Sequence, residues 1–170
     1  DTAGKALRHQ GKSAKAKRRR AGAHARTRRI NKLTRNLGRR ARNIWCSGPL
    51  PASSYASEIH GVSDTELLSL RRSFASVLKP RAGDRSLSIL LLLEEDPTWL
   101  VQVSPILRWH KEVWNTRMAV HSPTLSFQQL RTAWDSVFSV REKTWRSVSG
   151  PISAMRKSLS RIGWEMVDFV

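Results

Sequence analysis

The sequence predicts a mostly α protein: a small helical domain of about five to six helices behind a disordered or extended basic N-terminal arm. Three observations lead there. Large apolar residues recur at three- and four-residue intervals through most of the chain after Thr27, the period of one helix face. Start and stop signals bracket those stretches, among them Ser63 with Glu66, Asp96 with Pro97, and Gly163. The charge is also lopsided. Residues 1–42 hold 16 of the 31 Lys and Arg against one acid, Asp1, a net of +15, while the other 128 residues hold 15 basic and 12 acidic groups, a net of +3.

Residues 1–26 contain one large aliphatic, Leu7, and nothing else able to seed a core, so this segment is expected to be a disordered arm. From Thr27 the pattern changes. Ile30, Leu33, Leu37, Ala41 and Ile44 fall on helical spacing, with Arg28, Arg29, Arg35, Arg39 and Arg42 on the other sides, which predicts a basic amphipathic helix over 27–46. Ser47-Gly48-Pro49 ends it.

Ser63 and Glu66 have the spacing of a reciprocal capping box, opening a helix over 63–79 with Leu67, Leu70, Phe74, Val77 and Leu78 buried and Pro80 beyond. Arg81 to Arg85 is a loop. Ser86–Glu95 fits a short helix or a buried strand by period alone; Leu outnumbers β-branched residues, which favours helix. Asp96-Pro97 begins a helix over 97–117 whose buried side uses Leu100, Ile106, Leu107, Trp109 or Trp114, and Val113, and which Pro105 should kink or split. After Ser122-Pro123, the residues Phe127, Leu130, Trp134, Val137 and Phe138 mark a helix over 124–146. A last helix over 151–162 stops at Gly163. The helical domain thus covers 27–165, and 166–170 is a truncated tail, with Trp164–Val170 short and apolar enough for an unpartnered strand.

The single Cys46 excludes a disulfide framework and any multi-thiolate zinc site. The longest apolar run, Leu87–Leu93 with Ser88 inside it, falls far short of the roughly 20 residues a membrane span requires. No membrane partner is expected.

No catalytic constellation stands out. Ala6 to Ser13 matches the loose [AG]xxxxGK[ST] phosphate-loop form, but nothing before it can be the strand such a loop follows. Glu94-Glu95-Asp96 is the one dense acidic run; neighbouring helical positions point different ways, and the run sits beside a helix start, where negative charge stabilises the dipole. His60, His110 and His121 lack partners at ligand spacing, and no serine lies in a GxSxG elbow. No metal and no cofactor are expected. The six tryptophans from Trp99 to Trp164 are expected mainly in the core. Trp45, just after the basic helix, is the best candidate for base stacking, though packing is favoured even there.

One stretch carries a resemblance. Leu50-Pro51-Ala52-Ser53-Ser54-Tyr55-Ala56-Ser57-Glu58-Ile59-His60-Gly61, preceded by the basic helix ending at Trp45 and followed by Leu67-Leu68-Ser69-Leu70-Arg71-Arg72, resembles the region after the polymerase palm in reverse transcriptases of non-LTR retroelements. Their pattern there is P-x-x-x-Y-G-x-E-x-x-G leading to L-x-x-L-R-R; the specific part is the dozen residues around Tyr55 and Glu58, with a looser likeness over 27–165. The resemblance implies a thumb, a helical unit that grips template–primer duplex, with Tyr55, Glu58 and Gly61 as structural positions. Ala56 stands where the family has Gly. The Asp-Asp turn of the palm is not among these 170 residues, so the chain is expected to be a fragment that does not polymerise alone, its palm being a partner on the same original polypeptide.

Cations at this density repel one another and are suited to lying along a polyanion. The expected partner is therefore nucleic acid, whether DNA, RNA or hybrid, held through its phosphates by Lys15, Lys17, Arg18, Arg19, Arg20, Arg26, Arg28, Arg29, Arg35, Arg39 and Arg42. The run Lys15–Arg20 also has the composition of a nuclear import signal, so a nuclear protein is expected. The alternative is a structural RNA-binding component of a ribonucleoprotein such as an organellar ribosome.

Overall fold

Helix-forming residues dominate wherever the chain is free of Gly and Pro, and the computed structural model is helical accordingly. It describes residues 2–78, 86–118, 125–138 and 144–165, with side chains from residue 14 onward within those ranges, residue 146 apart. In chain order come α1 (Thr2–Leu37), α2 (Arg40–Ser47), α3 (Pro49–Ser53), α4 (Ser57–His60), α5 (Asp64–Val77), α6 (Leu87–Leu93), α7 (Trp99–Arg117), α8 (Phe127–Phe138), a 3₁₀ turn (Trp145–Ser147) and α9 (Pro151–Arg161). No strand occurs among the described residues. Six of these helices, α1, α2, α5, α7, α8 and α9, run eight residues or more, in keeping with the expected number.

The residues group into two compact units. Unit one is Asp1–Tyr55 with Asp64–Thr98, and unit two is Ala56–Ser63 with Trp99–Val170. Unit one packs α1, α2, α5 and α6 around Ile30, Ala41, Trp45, Phe74, Val77, Leu78 and Leu91. The Trp45 ring is fully buried, tilted 51° against Phe74 at 5.2 Å, and its Nε1 donates to Ser73 Oγ at 3.1 Å. Unit two closes α7, α8 and α9 around Trp109, Leu130, Trp134, Ile152, Met155 and Leu159, with Trp109 stacked on Trp134 and Trp134 on Phe138.

Two expectations about the amino end are corrected. The arm does not extend to residue 26 and the helix does not start at Thr27, because α1 already runs through residues 14–26. Residues 14–26 are helical, and Ala23 and Thr27 are buried in unit one. The basic helix over 27–46 is in fact two, because Gly38 takes a left-handed backbone (φ +52°) and donates its N–H to Thr34 O at 3.1 Å, ending α1 before α2 begins.

Downstream, the helices occur in the expected order. α5 follows Ser63 directly. The segment with two possible periods is helical, as α6. The Asp96 carboxylate accepts from Thr98 N at 2.9 Å and Thr98 Oγ1 at 2.7 Å, so the turn it caps precedes α7. Pro105 does not split α7. The carbonyl of Val101, whose partner N–H proline lacks, accepts instead from Ser104 Oγ at 3.0 Å. The buried side of α7 is Val101, Gln102, Pro105 and Trp109, whereas Leu100, Leu107 and Trp114 are exposed, contrary to expectation.

α8 opens on a reciprocal capping box that was not expected from the sequence: Ser126 N donates to Gln129 Oε1 at 2.8 Å and Gln129 N to Ser126 Oγ at 3.2 Å. Its described span is Phe127–Phe138, and the helix expected to reach 146 does not do so, since Trp145–Ser147 form a 3₁₀ turn. α9 closes as expected on Gly163 (φ +78°), with Gly163 N to Ser160 O and Trp164 N to Leu159 O forming the paired bonds of a Schellman stop. The expected loops at Arg81–Arg85 and Ser122–Pro123, His121 and the 166–170 tail lie outside the described residues.

Candidate nucleic-acid interface

α1 is rich in Ala, Arg and Lys, which favour helix, but its cations repel at i, i+4: Lys15 with Arg19 and Arg28 with Lys32. Such a helix needs packing on one side to persist. The packing seam is Ala23, Thr27, Ile30 and Thr34, all buried, continued by the half-buried Leu37. This differs from the expected stripe, since Leu33 is 52% exposed and Ile44 42%. Threonine takes the seam because its hydroxyl is satisfied within the helix. Thr27 Oγ1 donates to Ala23 O at 3.1 Å, and Thr34 Oγ1 to Ile30 O at 3.0 Å. Small polar groups then join α1 to α5: Thr27 Oγ1 lies 3.2 Å from Ser73 Oγ, and Asn31 Nδ2 donates to Ser76 Oγ at 3.0 Å.

With that seam inward, the remaining sides of α1 are cationic. Residues 14–37 contain ten Lys and Arg and no acid. Lys15, Lys17, Arg18, Arg19, Arg26, Arg28, Arg29 and Arg35 are exposed, as is Arg39 after the helix. Lys32 and Arg40 are exposed beside them and belong to the same face. Neither was among the phosphate ligands expected from the sequence, although their spacing from Arg28, Arg29 and Arg39 is visible there.

Two of the expected phosphate ligands serve the fold instead. Arg20 Nη1 pairs with Glu66 Oε1, tying α1 to α5. Arg42 Nη2 donates to Glu94 O at 2.7 Å and stands 3.7 Å from Glu95 Oε2. Among the described residues, no ion pair involves Lys17, Arg18, Arg26, Arg28, Arg29 or Arg39.

The acidic run is divided among structural tasks. Glu94 gives its carbonyl and Glu95 its carboxylate to Arg42, while Asp96 caps the turn before α7 and accepts from Arg71 Nε at 2.8 Å and Nη2 at 2.7 Å. Among the described residues no three His, Cys, Asp or Glu side chains converge as metal ligands. Nor is any described helix long and apolar enough to cross a membrane. Cys46, partly buried on α2, has its thiol pushed up by desolvation, with Arg42 acting in the opposite direction. Trp45 presents no ring for stacking, being wholly buried. Trp109 and Trp134 are core as expected, but Trp99, Trp114 and Trp164 are more than half exposed.

The motif positions have distinct roles. Tyr55 belongs to unit one, where the Arg19 guanidinium lies 3.8 Å above its ring centroid and Lys15 Nζ 5.7 Å away. Ala56 has a left-handed backbone (φ +63°, ψ +16°), a conformation that glycine adopts without cost. Gly61 (φ +65°) faces the Trp145 ring so closely that an added Cβ would meet it at 2.4 Å. Arg161 also contacts this ring, 4.4 Å from the Trp145 centroid, and is hydrogen-bonded to Val62 O. Glu58 is exposed and has no ion pair or hydrogen bond among the described residues. Comparison of the chain with protein-family models, curated proteins and solved structures finds no match.

Proposed function

We propose that this chain is a non-catalytic nucleic-acid-binding region that holds phosphates along the outer face of α1, and that it is the thumb and downstream part of a non-LTR retroelement reverse transcriptase. The observation that carries the binding proposal is a single helix on which ten cations and no carboxylate occupy residues 14–37, with Lys15, Lys17, Arg18, Arg19, Arg26, Arg28 and Arg29 exposed along it. A rigid cationic rod presents its charges without first having to be ordered, which lowers the entropic cost of binding relative to a disordered arm. Affinity then arises from counterion release, and because phosphate contacts carry no base information directly, sequence preference is weak.

Support for the thumb assignment comes from the motif. Ala56 has the left-handed backbone at the position the family fills with Gly, and Gly61 fills a place closed to any side chain. On this reading the chain works in the nucleus beside a polymerase palm.

The test is fluorescence anisotropy of the full chain on a labelled 20-base-pair duplex across a salt series. If six or so phosphates are engaged, affinity falls on the order of 10³-fold between 50 and 200 mM salt; a flat response contradicts the proposal. Substitution is the right perturbation, since deleting residues 1–42 would strip Ile30 and Ala41 from the core of unit one.

A further inference from the structure

Resting on the phosphate-binding reading above, we infer that α1 lies in the major groove of B-form DNA, one flank of the helix against each strand, and so distinguishes duplex DNA from duplex RNA.

The seam sets the directions. Ala23, Thr27, Ile30 and Thr34 fix which side of α1 faces the body of unit one, and at about 100° per residue they fix every other direction as well. Lys17, Arg28 and Arg35 then fall within about 20° of one another on one flank. Arg18 and Arg29 define the opposite flank, with Lys15 and Arg26 farther round the same side. All seven are exposed. Between the rows, farthest from the seam, stand Ala14, Ala21, Ala25 and Lys32, also exposed. The cations therefore form two rows along opposite shoulders of one rod, with little bulk between them over the upstream half.

A single strand has one phosphate wall and leaves one row idle. A duplex has two. The rod, about 10–12 Å across with its side chains, matches the roughly 12 Å major groove of B-form DNA, whereas the minor groove is about 6 Å wide. The major groove of A-form RNA is deep and narrow, closed to side chains and to a helix alike. α2, α3 and α5 pack against α1, so the rod is held by its inner side while its outer side remains open. An anionic membrane fits less well: Leu33 is the one large apolar side chain on the exposed arc of residues 14–37, and a membrane-surface helix needs an apolar face.

The experiment compares the full chain at 100 mM salt on a 20-base-pair DNA duplex, the RNA duplex of the same sequence, and one DNA strand alone, using wild type and two double variants, K17Q/R28Q and R18Q/R29Q, each checked for unchanged circular dichroism. The expected result is DNA duplex bound at least 10-fold tighter than RNA duplex, with each double variant losing 10-fold or more on duplex DNA. On the single strand, one of the two variants should stay within 3-fold of wild type. Dimethyl sulfate footprinting should show guanine N7, in the major groove, protected and adenine N3, in the minor groove, still reactive. Equal affinity for the two duplexes, or protection of N3 with N7 open, overturns the inference and leaves the phosphate-binding proposal standing; no binding to any of the three overturns both.

Discussion

Units one and two both bury helices against helices, yet they place their resources differently. Unit one carries 21 Lys and Arg against 7 acids and one tryptophan; unit two carries 10 against 6 and the other six tryptophans. Unit one's longest helix packs through alanine, threonine and isoleucine, its hydroxyls closed onto its own carbonyls. Unit two is built on aromatic stacking, Trp109 to Trp134 at 5.8 Å and Trp134 to Phe138 at 4.0 Å, with Arg156 4.5 Å over Phe138. The contrast shows that a slender seam suffices for a helix whose other sides must stay charged, because the α2 and α5 aromatics supply the buried area that α1 lacks. In unit two Trp109, Trp134 and Phe138 supply the packing, while Trp99, Trp114 and Trp164 stay more than half exposed.

Unit one is most vulnerable at Trp45. Trp45→Ala removes the one large aromatic residue that α2 contributes to that unit and orphans its bond to Ser73; it should cost about 4 kcal/mol in urea unfolding. Hydrogen exchange should rise in α1, α2 and α5 while α8 and α9 keep their protection. Gly61→Ala is the counterpart in unit two. The new Cβ both collides with Trp145 and holds a strained positive φ, for about 3 kcal/mol, and the exchange should rise in α4, α7 and α9 instead.

Much of this architecture is legible in the sequence. The four later long helices follow from apolar period and from caps whose chemistry is local: Asp96, Gly163 and the start after Ser63. α1 is hidden because its seam is made of residues that score as small or polar. Thr27 and Thr34 look like solvent positions until their hydroxyls are seen bonded within the helix, and Leu33, the apparent anchor, points out. The cationic face is legible as charge, but which cations it contains is not. The removal of Arg20 and Arg42 depends on Glu66, Glu94 and Glu95, which are 46, 52 and 53 residues away, and no local pattern announces a pairing over that distance.

Smaller effects are expected at one position in each unit. Ala56→Gly relieves the left-handed cost of a Cβ in unit two and should stabilise the chain by about 1 kcal/mol, read as a higher urea midpoint with unchanged slope. At Cys46 in unit one, burial keeps the proton on the thiol in the folded chain. Its contribution to stability is therefore full below the ordinary thiol pKa of roughly 8.5 and is lost as pH climbs from there through the raised value. Alkylation by iodoacetamide should accordingly show a higher pH midpoint in the folded chain than in urea.

The central claim is that phosphate binding belongs to α1 and not to the excess of positive charge at large. It is tested by exchanging equal numbers of cations in the two units: R18Q/R28Q/R29Q on α1 against K111Q/R117Q/R131Q, three exposed cations of unit two. The measurement is the slope of log affinity against log salt on duplex DNA. The α1 variant should flatten that slope by about 2.7, near 0.9 for each phosphate left without its cation, while the unit-two variant leaves it unchanged. Equal flattening by both would mean that the chain binds through diffuse charge, and would contradict the assignment to α1.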